Sequence, residues 1–244
     1  MPNKIIDCLL EEVIPSEVSD FAIFPHSVFV DSMNVGLAST VNASFCGDIA
    51  YVGKIHEMTT GELAEMIKSN KIIEAAIGLA SINSSLDRSG LNDKLIDINA
   101  GQIVQEKGKD KNVSVIGHFP FVERLKRNQN CKNLWVFELA PKADYDLSPD
   151  LLPEYIPQSD VVVITGTTII NQSFDDISKL FKDSFNIMLG PSTPLTPTLF
   201  DFGIDAICGA IVTNKDKAKQ HLSQGAPFRK TKGLEFVMLT REKL

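Results

Sequence analysis

Short apolar runs punctuate the second half of the chain, at residues 113–116, 134–137, 161–164, 187–189, 206–212 and 234–239. Most are continuous and rich in Val, Ile, Leu or Phe, the pattern of strands covered on both faces. Between several of them lie stretches with helical spacing: 121–128, 174–181, 197–202 and 216–224. Alternating strand and helix signals predict an α/β fold with right-handed crossovers and a mainly parallel, Rossmann-like sheet.

The first half has a different rhythm. Residues 28–30 and 35–41 read as strands around a turn at 31–34, and a third short strand is expected near 49–52. Thr59 and Glu62 make a T-x-x-E capping box that opens a helix to about Lys68. Asn70 is expected to cap a second helix whose core stripe is Ile72, Ile73, Ala76, Ile77, Leu79 and Ala80. Ile5, Ile6, Leu9 and Leu10 mark a short amphipathic helix at the start. Strands followed by helices predict a small α+β unit. The Lys-, Gly- and Asp-rich run 106–112 places the boundary there, giving domains of residues 1–105 and 106–244.

Apolar residues make up 43% of the 244 positions, enough to bury a sizeable core. The net charge of −7 disfavours a nucleic-acid partner, and Arg229, Lys230 and Lys232 read as a solvated loop. Apolar stretches are too short for a membrane span, and Asp7 interrupts the apolar run a signal peptide would need. Cys8, Cys46, Cys131 and Cys208 form no C-x-x-C pair, and Cys8 and Cys208 sit among apolar residues as expected of buried thiols. A reducing cytoplasm is the expected location, and a homo-oligomer is compatible with the chain.

Ligands of open parallel sheets collect beyond the carboxyl ends of the strands. Three such ends are rich in glycine and hydroxyls: Gly117-His118-Phe119-Pro120, then Thr165-Gly166-Thr167-Thr168 with Asn171 beyond, then Gly190-Pro191-Ser192-Thr193-Pro194. Turn chemistry explains any one of them; three at equivalent positions point to a small-molecule site. Glu138 stands 21 residues beyond Gly117, where an acid often accepts ribose hydroxyls. The first turn lacks G-x-G-x-x-G, which disfavours NAD and leaves a nucleoside or other polyol open. The sequence names no cofactor. His118 is the candidate for proton transfer, with a one-bond turn histidine as the alternative. His26, Cys46, Asp48 and His56 match no compact metal motif, so no metal site of the protein's own is expected.

These loops, with Phe137-Glu138-Leu139, the continuation Ile169-Ile170-Asn171 and Gly209, resemble the "putative heavy-metal chelation" domain family over roughly residues 113–225. Val35-Gly36-Leu37-Ala38 and Ala80-Ser81-Ile82-Asn83 resemble the enolase N-terminal-like domain that accompanies it. The resemblance implies a cleft shared by both halves. Carried over residue by residue, it gives Gly117, His118, Phe119, Glu138, Thr165, Gly166, Thr167, Thr168, Asn171, Ser192 and Thr193 as cleft residues, with Asn83 from the first half. Its implied role is to bind or process a polar small molecule, heterocyclic among the options, linked to metal chelation. Phe119 would stack on it, Glu138 would fix hydroxyls and His118 would move a proton. A non-catalytic binder of a metal complex or chelator, and a Rossmann-like methyltransferase with a nucleoside cofactor, are the alternatives.

Overall fold

The computed structural model describes residues 4–41, 49–97 and 99–241. The first half opens with helix α1 (Ile5–Glu11), then strands β1 (Asp20–Ile23), β2 (Ser27–Asp31) and β3 (Val35–Ser39) in one antiparallel sheet of order β1-β2-β3. The turn at 31–34 is where the pattern placed it. The third strand is not: it precedes the other two as β1, and residues 50–53 form a turn with Tyr51 at φ 63° and Gly53 at φ 81°. Two left-handed residues within three positions cannot lie in a pleated strand. Val41 likewise turns at φ 47°, which stops β3 at Ser39.

Helices α2 (Thr60–Ala64) and α3 (Ile72–Ser85) complete this half. The capping box forms in full: the Glu62 N–H donates to Thr59 Oγ1 at 3.3 Å and the Thr59 N–H to Glu62 Oε2 at 2.7 Å. Lys71, not Asn70, stands at the N-cap of α3 and makes no side-chain capping bond there. Every residue from Ile73 to Ser85 is buried, so α3 is enclosed on all sides. Gly36 permits this: a Cβ there would sit 2.0 Å from the Ala80 carbonyl oxygen.

The second half builds the large sheet. In chain order its elements are β4 (Ile96–Asp97), α4 (Ala100–Lys107), β5 (Asn112–Ile116), α5 (Val122–Asn128), β6 (Asn133–Phe137), β7 (Asp146–Leu147), α6 (Leu152–Tyr155), β8 (Val161–Thr165), α7 (Thr167–Ile170), α8 (Phe174–Ser178), β9 (Phe185–Leu189), α9 (Thr198–Asp201), β10 (Ala206–Val212), α10 (Lys215–Ser223) and β11 (Leu234–Thr240). The strand order is β4-β11-β10-β9-β8-β5-β6-β7. From β7 through β10 all pairs are parallel, while β11 and β4 add an antiparallel edge. The parallel part starts in the middle at β5, runs outward through β6 to β7, then crosses to β8 and runs the other way. The direction therefore reverses between β5 and β8, and a doubly wound sheet opens its crevice at that switch point.

Each strand serves two faces. Val113, Val115, Val161, Val163, Ile187 and Leu189 pack against α4 and α5, contributing Ile103, Val104, Val122 and Leu125. The opposite residues Ile116, Val162, Ile164, Met188 and Ile207 join Ile169, Phe174, Leu199 and the core of the first half in one continuous apolar cluster. The two halves thus share a core. The boundary expected at 105/106 lies inside α4, and β4, ahead of it, already pairs with β11.

Candidate functional site

β5 ends at Ile116, and Gly117 turns the chain with φ 99°, a left-handed conformation that favours glycine. That turn delivers His118 to the switch point. The His118 N–H donates to Glu138 Oε2 at 3.0 Å, so the acid at the end of β6 fixes the loop after β5. Glu138 also accepts from the Leu139 N–H at 3.0 Å and from the Lys142 ammonium at 3.1 Å. A carboxylate has about four lone-pair sites, so these bonds leave little capacity for ligand hydroxyls.

The His118 imidazole has a partner that sequence reasoning missed. Its Nδ1 lies 3.0 Å from both carboxylate oxygens of Asp146, in β7. Asp146 is fully enclosed, its side chain 0% exposed, and also accepts from the Lys142 and Ala143 N–H groups at 2.7 and 3.0 Å. Burial pushes its carboxyl up, but the Lys142 N–H, His118 and the Ala143 N–H outweigh it and hold it below the usual carboxylate value. Tyr145 stacks on His118 with ring centroids 5.9 Å apart and donates its hydroxyl to Glu123. Desolvation and Glu123 push that phenol up to about 12. Among the described residues, Nε2 of His118 has no protein partner. Asp146 lies in a polar stretch with no apolar rhythm; its one signal is the acid placed shortly after a strand that ends beside His118.

The end of β8 faces the same space. Thr165 and Thr167 share a hydroxyl–hydroxyl bond of 3.0 Å, and Thr168 donates to the Thr165 carbonyl at 2.8 Å. Asn171 Oδ1 accepts from the N–H and hydroxyl of Ser173. With the strand end of β5 these loops border a cleft of about 870 Å³, the size of a small-molecule site. The first half supplies the opposite wall through His26, Ser39, Thr40 and Val41, and Phe228 and Leu180 add apolar surface.

Of the residues picked from sequence, Gly117, His118, Phe119, Glu138, Thr165, Thr167, Thr168 and Asn171 border the cleft. Ser192 and Asn83 belong instead to the seam between the halves, while Gly166 packs against Thr193 within the second half. A Cβ on Gly166 would meet the Thr193 nitrogen at 2.7 Å. Ser192, 1% exposed, accepts the Ser39 N–H at 2.8 Å, and the Asn83 amide donates to the Leu37 carbonyl of its own half at 2.9 Å and across the seam to the Ser192 carbonyl at 3.5 Å. His56 packs edge-on against Phe21, and Cys46 and Asp48 lie outside the described residues.

This architecture is a Rossmann-like α/β protein with an antiparallel three-stranded sheet packed on one face. The chain belongs to the DUF364 family: that family's model, described as "Putative heavy-metal chelation", matches residues 99–238, and DUF4213, with the same description, matches 6–86. It is 26% identical over 230 residues to an uncharacterized protein of Methanocaldococcus jannaschii, covering 90% of this chain and 88% of that one. Two crystal structures of DUF364 proteins of unknown function share the fold. The one from Desulfitobacterium hafniense is 23% identical with a TM-score of 0.86, and the one from Pyrococcus horikoshii 22% identical with 0.76; each comparison covers 97% of this chain and 98% of the other.

The family description raises the question of a resident metal. Among the described residues, no three His, Cys, Asp or Glu side chains gather as a ligand set. Nδ1 of His118 is engaged by Asp146, and Glu138 already accepts three bonds. His26, Asp150 and Asp176 also border the cleft but do not gather with these into a ligand set among the described residues, and the hydroxyls beside them are weak ligands for soft metals. The donor set does not fit a tightly held transition-metal ion. Among the described residues, no helix is long and apolar enough to cross a membrane.

Proposed function

We propose that the cleft binds a polar, ring-bearing small molecule connected with metal chelation, and that His118 exchanges a proton with it through Nε2. The carrying observation is the bond from Nδ1 to the enclosed Asp146 carboxylate. A carboxylate behind an imidazole favours the Nδ1–H tautomer and leaves the Nε2 lone pair as the base. The side chain of His118 is 13% exposed, enough to meet a ligand and too little to be an ordinary solvated histidine. Phe119, Ile116 and Phe228 offer faces for a ring, and Ser39, Thr40, Thr165 and Thr167 offer hydroxyl oxygens. Any metal in this reading arrives as part of the ligand. A nucleoside cofactor held by Glu138 has less support, because His118, Leu139 and Lys142 already occupy that carboxylate.

Mass spectrometry of small molecules that co-purify with the native protein identifies the ligand class. Turnover and calorimetry with that compound then test the roles. His118→Ala is expected to retain binding within a few-fold and to lose conversion, while Thr167→Val weakens binding by the worth of one neutral hydrogen bond, about 0.5–1.5 kcal/mol. A compound bound equally by wild type and both variants, and converted by none, would show that the cleft neither transfers protons nor uses these side chains.

A further inference from the structure

A second cavity, of about 430 Å³, opens between the turn joining β2 to β3 and the end of β10. Asp31, Asn34, Val35, Arg88, Thr213 and Lys215 border it. Its charges are unbalanced. Lys215 pairs with Asp31 at 2.9 Å, which neutralises the cavity's carboxylate. Arg88 forms no ion pair among the described residues. Its Nη2 donates to the Asn83 carbonyl at 2.6 Å, capping the end of α3. That uses one donor of a guanidinium that has about five. Nε is shielded from solvent and has no hydrogen-bond partner in the protein among the described residues. Burial alone pushes the group down to about 10; no neighbouring acid opposes it.

A half-buried guanidinium with one enclosed, unpartnered N–H and no counter-charge is costly, and a cap on one carbonyl does not require it. Because Nε is enclosed, a carboxylate or phosphate in the cavity would meet the terminal Nη groups, whose remaining N–H bonds make the fork that such anions fit. We propose that this second cavity is an anion site built on Arg88, for a small molecule that carries a carboxylate or phosphate group. Asn34 and Thr213 add polar atoms on the same walls. The cavity is of a size for a compact metabolite and too small for a folded partner.

The test is calorimetry and thermal shift on the full chain with inorganic phosphate and, separately, succinate, at constant ionic strength against chloride. At least one anion is expected to bind saturably and raise the melting temperature, and the arm that responds identifies the group. Arg88→Gln should weaken that anion about tenfold or more, as expected when charge-assisted bonds are lost. Because this change could unfold the chain, a second pair decides independently. Thr213 is exposed, so Thr213→Glu puts a competing carboxylate on the wall and should abolish binding, while Thr213→Gln should preserve it. The proposal fails if neither anion binds saturably, if Arg88→Gln folds and binds like wild type, or if both Thr213 variants bind equally.

Discussion

Asp146→Asn separates an orienting carboxylate from a mere anchor of its own loop. In the native protein Oδ2 takes the Lys142 and Ala143 N–H groups at 2.7 and 3.0 Å, while Oδ1 lies 3.0 Å from His118 Nδ1. An amide of the same shape has one acceptor oxygen. If that oxygen stays on the two backbone donors, its NH2 stands against Nδ1 and can only donate. The amide then favours the Nε2–H tautomer over the bond from Nδ1–H to the retained oxygen, also 3.0 Å away, so the base on the cleft side is weakened while the loop stays closed. Exchanging charge-assisted bonds for neutral ones in a fully enclosed site costs about 1–3 kcal/mol. The pH dependence has a definite sign. The folded carboxyl lies below its unfolded value, so its stabilisation is complete above about pH 4 and is lost as pH falls through the folded value. The stability gap between wild type and variant should therefore narrow in acid. Nitrogen-15 NMR of His118 reports the tautomer, and urea unfolding at neutral and acidic pH reports the gap. An unchanged Nδ1–H tautomer in the variant, with unchanged stability, would refute the pairing.

Ser192→Ala should act on stability more than on the cleft: it leaves the part-buried Ser39 N–H without its acceptor, at about 1–3 kcal/mol by thermal or urea unfolding. Gly36→Ala drives a methyl into the Ala80 carbonyl and the Ser84 nitrogen, at 2.0 and 2.4 Å, so α3 must back away from β3; unfolding should show about 1–3 kcal/mol or more lost. Cys208 is 4% exposed and burial pushes its thiol up to about 12. Mass spectrometry after iodoacetamide treatment of the native protein should find it unmodified, and reactive only after denaturation.

The large sheet was legible because its strands are buried on both faces, which writes each one as a continuous apolar run. β7 and β4 escaped notice for the opposite reason. Each has two residues, and Asp146 and Asp97 carry polar side chains into a ladder held by one parallel or antiparallel register. β1 was missed because Asp20–Ile23 is half-buried throughout and its pairing with β2 comes from a tight turn, not from an apolar pattern. Residues 49–52 misled in the other direction: Ile, Ala, Tyr and Val suit a strand, yet Tyr51 and Val52 are exposed in a turn. Cys8, expected to be buried, is half-buried at the solvent edge of α1.

At the site, the same chemistry serves two ends that sequence alone cannot tell apart. The loops after β5 and β8 flank the switch point and border the cleft, whereas the loop after β9 meets the first half. Its Ser192 accepts the Ser39 N–H through its hydroxyl and the Asn83 amide, from α3, through its carbonyl. Glycine, serine and threonine suit both tasks, since close approach and a hydroxyl are needed whether the neighbour is a ligand or a backbone. What decides between them is which strand lies beside which, and the strand order is a property of the whole sheet. The seam is nonetheless not idle with respect to the cleft. Ser192 holds the backbone of Ser39, and Ser39 with Thr40 forms the wall opposite Thr165 and Thr167. Residues chosen as ligand contacts thus set the width of the cleft from behind, by fixing the first half against the strand ends of the second.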